Sequence, residues 1–358
     1  MEGLDLLAGF TQHPRSIARY DGPVQMRPPV AAAALVFASI AVAPGATAAP
    51  GSVSSSDVEF ATAQKAPECL SFTGKGSTGP KSTLWAGAKQ PSLKEHCLEL
   101  QQGIRRFRNG EFLQAVAQAD RAELLSPGLA GPHVVRGEAL ARWGKYKEAY
   151  EAFEKARTLH ARALDDAEAL DDLGFVQVRL GKLDEARKTY RALLPRVAGP
   201  LGLCAVGGEC EAAGAAYLTA GMLALEQGKP GIDEAVAVLR EARSKSPASS
   251  SVRRVGTLAL ALALDRRGDT TQARELTSEL SKTAGIPGDL PTELSSRFPA
   301  MEEGLALRAI GLEATEPTVA LEVWRKYLTA GGDKRAWADH AKQHVAALEK
   351  PAPKKKGG

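Results

Sequence analysis

From residue 92 onward, apolar positions recur three and four apart, and a Gly or Pro interrupts them about every seventeen residues. That period predicts a run of short amphipathic helices separated by tight turns. Residues 49–91 lack the period. They are rich in Gly, Ser, Thr, Pro and Lys, which predicts a loose connector. Residues 30–43, VAAAALVFASIAVA, are uniformly apolar or small and carry no charge. The run is short for a bilayer span but matches the core of a secretory signal. Arg27 supplies a positive charge upstream, and Pro44-Gly45 ends the run. Ala46-Thr47-Ala48 presents small residues at a cleavage site after Ala48. Met26 is the expected start, so residues 1–48 are read as a mis-set start followed by a signal. The mature chain is then exported, periplasmic or surface-associated in a bacterium, with no transmembrane segment left after cleavage.

The helical region repeats itself. Gly110-x-Phe112-x-x-Ala115 returns as Gly144-x-Tyr146-x-x-Ala149 and again as Gly181-x-Leu183-x-x-Ala186, at offsets of 34 and 37 residues. Seven residues before each turn stands another glycine: Gly103, Gly137 and Gly174. Seven residues after Ala115 and Ala149 stand Ala122 and Ala156. Gly221, Ala235, Leu239 and Ala242 form a fourth copy, Gly268, Ala273 and Leu280 a fifth, and Ala320, Trp324 and Tyr327 a degenerate sixth. Residues 334–348 read as a capping helix. The expected domain is 92–350, followed by a disordered basic tail at 351–358.

This pattern resembles the tetratricopeptide repeat, a 34-residue helix–turn–helix unit. The unit centred on GEALARWGKYKEAYEAFEKA carries Gly137, Gly144, Tyr146, Ala149, Phe153 and Ala156 at the family's positions. His133 replaces the family's usual Trp, and Arg136 a usual Leu. The resemblance implies an all-α fold, a right-handed solenoid of five to six helix–turn–helix pairs with a cap. Its inner surface, lined by the first helix of each pair, would hold a protein segment. The implied lining is Leu100, Ile104 and Phe107 in the first unit, Val134 and Ala141 in the second, and Phe175 and Val178 in the third. The thirteenth position of the repeat holds Arg108, Arg142, Arg179 and Arg266. Such a row of guanidiniums suits the carboxylates of an acidic peptide, although a cation near a helix C-terminus is favoured by the dipole in any case. The family's carboxylate-clamp subgroup has Lys and Asn where Leu100 and Ile104 stand, so the resemblance does not extend to that subgroup. The implied role is a non-catalytic scaffold or adaptor. A structural envelope component, or an accessory subunit of an envelope polymer or secretion machinery, is the alternative.

Charge changes little in this picture. There are 46 Lys+Arg against 42 Asp+Glu, and the excess equals the lysines at 350, 354, 355 and 356. The body is neutral, which argues against nucleic acid as a partner. The four cysteines, Cys69, Cys97, Cys204 and Cys210, predict disulfides in an exported chain, and four allow three connectivities. The glycine-containing segment from Cys204 to Cys210 can close on itself, leaving Cys69 to pair with Cys97. Catalytic signals fail on context. Gly74-Lys-Gly-Ser-Thr-Gly79 matches a dinucleotide motif, but Pro80 removes a donor and no amphipathic helix follows. His340 and His344 share a helical face, yet with only Asp339 beside them they read as a solvated surface and not as a metal site. No cofactor is expected.

Overall fold

The computed structural model describes residues 61–62, 65–72, 91–197, 203–204, 210–283, 285–286 and 290–350. The signal run, the Met26 start and the basic tail lie outside them. The described part is all helical. Its helices are α1 (Pro91–Arg108), α2 (Phe112–Leu125), α3 (Gly131–Arg142), α4 (Tyr146–Leu159), α5 (Ala167–Arg179), α6 (Leu183–Leu193) and α7 (Glu211–Leu225). They continue with α8 (Ile232–Lys245), α9 (Ser251–Arg267), α10 (Thr270–Thr283), α11 (Glu303–Leu312), α12 (Pro317–Thr329) and α13 (Ala338–Leu348). Short helical turns lie at Pro67–Phe72 and Thr292–Ser295.

Odd and even helices pair as hairpins, from α1/α2 to α11/α12, and each even helix packs on the next odd one. The first helices also pack directly on one another along α1–α3–α5 and along α7–α9–α11. The resulting solenoid is tetratricopeptide-like. Its buried clusters follow one another in chain order. Leu100, Ile104, Ala119, Ala122 and Val135 bury together, then Val134, Phe153, Ala169 and Leu173, then Leu170, Tyr190, Ala216 and Leu223. From Leu218 onward one large cluster runs through to Trp337 and Ala341. The sixth hairpin, degenerate in sequence, is packed like the rest: Ala320, Trp324 and Tyr327 are wholly buried.

Small residues make these approaches possible. A Cβ on Gly137 would lie 2.8 Å from the Phe153 ring, and one on Gly174 would lie 2.7 Å from Tyr190. Gly103 is different: its nearest neighbour would stand 3.4 Å away, an ordinary contact. We expect Gly137→Ala to cost about 1–3 kcal/mol through overpacking, while Gly103→Ala stays near neutral. Chemical denaturation of both variants checks the contrast. The turn glycines Gly110, Gly144 and Gly181 have φ of 78°, 81° and 71°, where a side chain would be strained.

Two sequence readings need correction. The capping helix begins at Ala338 and not at 334, because Gly332–Lys334 forms a separate short turn. The stretch 61–72, read as loose connector, is in part tightly packed: Ala61, Lys65, Ala66 and Cys69 are all buried. The Cys69–Cys97 disulfide, with Cα atoms 5.5 Å apart, ties this stretch to α1. Cys204 pairs with Cys210 just before α7. Both pairings follow the expected connectivity.

Candidate functional site

The chain itself covers much of what was expected to line the groove on α1, α3 and α5. Leu100 and Ile104 bury against Ala61, Ala66 and Cys69 from the preceding segment. From there Lys65 reaches across two further repeats. Its ammonium contacts Glu138 of α3, Asp166 Oδ2 at 2.8 Å and Glu168 Oε2 at 3.2 Å, with its side chain only 1% exposed. Asp166 is also the N-cap of α5, accepting from the backbone N–H groups of Glu168 and Ala169. Burial alone would favour neutral Lys65, but the three carboxylates outweigh it and raise its pKa well above the ordinary value. Burial pushes the wholly enclosed Glu138 well up, with Glu168, Asp166 and Asp172 adding to the shift against the pull of Lys65. Burial also opposes ionisation of Asp166, yet Lys65 and the cap hydrogen bonds hold that carboxyl below its usual range.

The third repeat is covered by a different segment. Arg297, just after the Thr292–Ser295 turn, donates to both carboxylate oxygens of Asp171 on α5, at 2.9 and 3.0 Å. Its guanidinium also stands 5.4 Å from the centre of the Phe175 ring. The Tyr190 hydroxyl donates to Asp171 Oδ1 at 3.2 Å. Arg179 Nη1 donates to the Ser296 carbonyl at 3.4 Å.

The expected groove residues therefore divide. Leu100, Ile104, Phe107, Val134, Ala141 and Val178 are buried and offer no open lining. Their apolar character serves packing between repeats and under Ala61, Ala66 and Cys69. Arg266 is likewise buried. It pairs with Glu303 at 2.8 Å and lies 5.1 Å from the Trp337 ring centre, so it is no rung of an open ladder. Arg108, Arg142 and Arg179 are exposed at the ends of α1, α3 and α5, and Phe175 is half-buried. Aromatic side chains stand by the later two arginines: Arg179 lies over Tyr146 at 5.3 Å, Tyr146 packs edge-on to Phe175 at 5.6 Å, and Trp143, which follows Arg142, is 46% exposed.

Arg142 has a second duty. Its Nη2 lies 2.9 Å from Oδ1 of Asp172, which is fully enclosed. Burial, reinforced by Asp171 and Glu168 and opposed by Arg142, pushes the Asp172 carboxyl up to about 7. The unfolded chain releases that proton near pH 4. Between roughly pH 4 and 7 the folded chain keeps a proton that the unfolded chain has lost, so stability falls as pH rises through that window. At about 1.4 kcal/mol per unit, the loss approaches roughly 4 kcal/mol. Asp172→Asn should flatten this part of the stability–pH profile, measured by urea unfolding at pH 4.5 and 7.5.

At the far end, His340 and His344 are not a solvated face. Both are mostly enclosed, and Asp265 of α9 stands between their rings. Sequence reasoning missed Asp265, Lys65, Glu138 and Arg297. Only Asp166 carried a visible signal, as an acidic residue directly before an Ala- and Leu-rich helix.

No protein-family model matches the chain, and no curated protein is found similar to it. Among solved structures, a MamA RS-1 ArsTM double mutant is 19% identical over 53% of this chain and 97% of its own, with a TM-score of 0.40. A tetratricopeptide repeat protein from Parabacteroides merdae is 14% identical over 82% of this chain and 100% of its own, with a TM-score of 0.38. The APC/C hetero-tetramer Cut9–Hcn1 gives 13% identity over 82% of this chain and 55% of that one, with a TM-score of 0.41. Similarity at these levels adds nothing to the architecture, which stands on the hairpin packing described above.

Proposed function

We propose that the protein is an exported, non-catalytic scaffold that holds a segment of a partner protein on its repeat array. The carrying observation is the exposed rim at the ends of the first helices. Arg108, Arg142 and Arg179 occupy one position in three successive repeats, with exposed Trp143 next to Arg142 in the chain and the Tyr146 ring under Arg179. Guanidiniums interleaved with aromatic faces suit an acidic segment carrying apolar side chains. The first helices already hold added chain: Ala61, Ala66 and Cys69 pack on Leu100 and Ile104, and Lys65 pairs with Asp166.

Export is supported by the residue 30–43 run and by two disulfides, which persist in oxidising compartments. Among the described residues no helix is long and apolar enough to cross a membrane.

The test begins with crosslinking of the native exported protein and mass spectrometry of the linked peptides. Arg108→Glu with Arg179→Glu should then weaken binding of the captured partner at least tenfold while leaving the unfolding midpoint nearly unchanged. Arg142 is spared because it faces Asp172. Equal binding by the double variant overturns the rim as the site.

A second reading, a self-associating envelope component, draws on the first hairpin. Leu98 and Leu124, 47% and 81% exposed, border a cleft of about 440 Å³ between α1 and α2. Concentration-dependent oligomers that Leu124→Gln abolishes would favour it over the adaptor.

A further inference from the structure

We propose that Asp265, His340 and His344 form a binding site for a divalent transition-metal ion of the zinc type. His340 and His344 stand one turn apart on α13, and Asp265 comes from the last turn of α9. Asp265 Oδ2 lies 2.7 Å from His340 Nε2 and 2.8 Å from His344 Nε2, and the two Nε2 atoms are 3.2 Å apart. Three donor atoms of the types zinc prefers thus converge on one point from two helices 75 and more residues apart in sequence.

With both rings neutral, the cluster is one hydrogen short. His344 Nδ1 is 2.6 Å from Glu313 Oε1, an oxygen that also accepts from Trp324 Nε1–H at 2.6 Å. A carboxylate oxygen cannot donate, so Nδ1 of His344 carries the hydrogen. In a neutral ring its Nε2 is then a bare lone pair, held at contact distance from the Asp265 carboxylate. His340 cannot relieve this. If its hydrogen sits on Nε2, it serves one of the two acceptors and leaves them facing each other. If the hydrogen sits on Nδ1, a second lone pair joins the carboxylate, and that Nδ1 is buried without a partner. Either a proton on His344 or a metal ion at the centre relieves these repulsions, and the metal engages all three donor atoms at once.

The dimensions fit. Tetrahedral bonds of 2.0–2.1 Å set donor atoms about 3.3 Å apart. The two nitrogens already have that spacing, and the carboxylate oxygen needs to withdraw by about 0.5 Å, within the reach of a small Asp265 side-chain rotation. Glu313 acts as the outer carboxylate that fixes the tautomer and aim of His344. Trp324, stacked on His344 at 4.9 Å, and Trp337, edge-on to His340 at 6.2 Å, wall the site. Two imidazoles and one carboxylate favour zinc, nickel or copper over calcium or magnesium. Three protein ligands leave a fourth position for water or for a donor from a partner. The bound ion would pin the terminal helix to the fifth repeat.

The test uses the full mature chain without a histidine tag, stripped with chelator. Zinc titration by calorimetry should show one tight site per chain. Cobalt should give the intense visible bands of four-coordinate Co²⁺ and quench tryptophan fluorescence. Asp265→Asn and His344→Gln should each lower zinc affinity at least tenfold and abolish the rise in thermal midpoint that zinc gives the wild type. The proposal is overturned if the wild type binds zinc no more tightly than these variants. It is also overturned if cobalt produces neither visible bands nor quenching in the wild type, a result that requires no variant to fold. In that case a proton alone occupies the cluster.

Discussion

Replacing Lys65 with Met is expected to lower the stability of the protein by about 3–5 kcal/mol, the cost of removing one partner from a buried ion pair. The loss should be this large because Lys65 is the only cation within salt-bridge distance of Glu138 and Asp166 among the described residues. Without it, Asp166 keeps its cap hydrogen bonds but faces Glu138 and Glu168 with no counter-charge. Glu138 sits at 0% exposure and has no water to turn to. The same substitution in a Glu138→Gln background should cost clearly less, since one of the three competing carboxyls is then permanently neutral. A double-mutant cycle by denaturant unfolding measures the difference. A Lys65→Met loss below about 1 kcal/mol would mean that residues 65–69 are not docked in solution. The wider consequence concerns the first three repeats. Their inner face is held together by a residue outside the repeat pattern, so trimming the chain to the repeats would remove part of the fold.

The second large effect is expected at Arg297. Arg297→Ala removes two hydrogen bonds to Asp171 and the cationic face over Phe175. Asp171 is 4% exposed and keeps only the Tyr190 hydroxyl among the partners described above. The expected cost is again about 3–5 kcal/mol. Much of it should appear locally, because Arg297 carries the two charge-assisted bonds that join this segment to α5. Amide exchange at residues 294–298 should accelerate strongly, while exchange in α5 and α6 changes less. Uniform acceleration through all the helices would contradict this local picture. The variant also bears on binding. Phe175 and the carboxylates behind it become accessible once the segment leaves, so a partner that uses this wall should bind Arg297→Ala more tightly than wild type.

Both effects come from contacts that periodicity does not encode. Gly137 and Gly174 announced themselves because a helix–helix approach needs a missing Cβ at a fixed register, and a fixed register repeats. The disulfide pairing was legible because the Cys204–Cys210 segment closes locally and leaves one remaining pair. The inner-face arginines were legible as positions but not as environments. Arg108 and Arg179 end exposed, whereas Arg266, at the same repeat position, is buried against Glu303 and Trp337. Its fate depends on how the later hairpins and α13 close over α9, a matter of contacts far apart in sequence. His340 and His344 show the same limit. Their spacing gave the shared face, but the third donor, Asp265, lies 75 residues away.

Taken alone, the chain's residues determined the all-helical hairpins, their order, the turn glycines and the two disulfides. Each of these follows from local spacing, because a helix buries whatever recurs on one side of it and a turn forms where φ must be positive. Tertiary structure alone decided which polar groups lost water and which partners replaced it. Lys65 met Glu138, Arg297 met Asp171, and Asp265 met His340 and His344 only once the hairpins had stacked and the other segments had packed onto them. Desolvation depends on everything that surrounds a group, and no stretch of sequence contains its own surroundings.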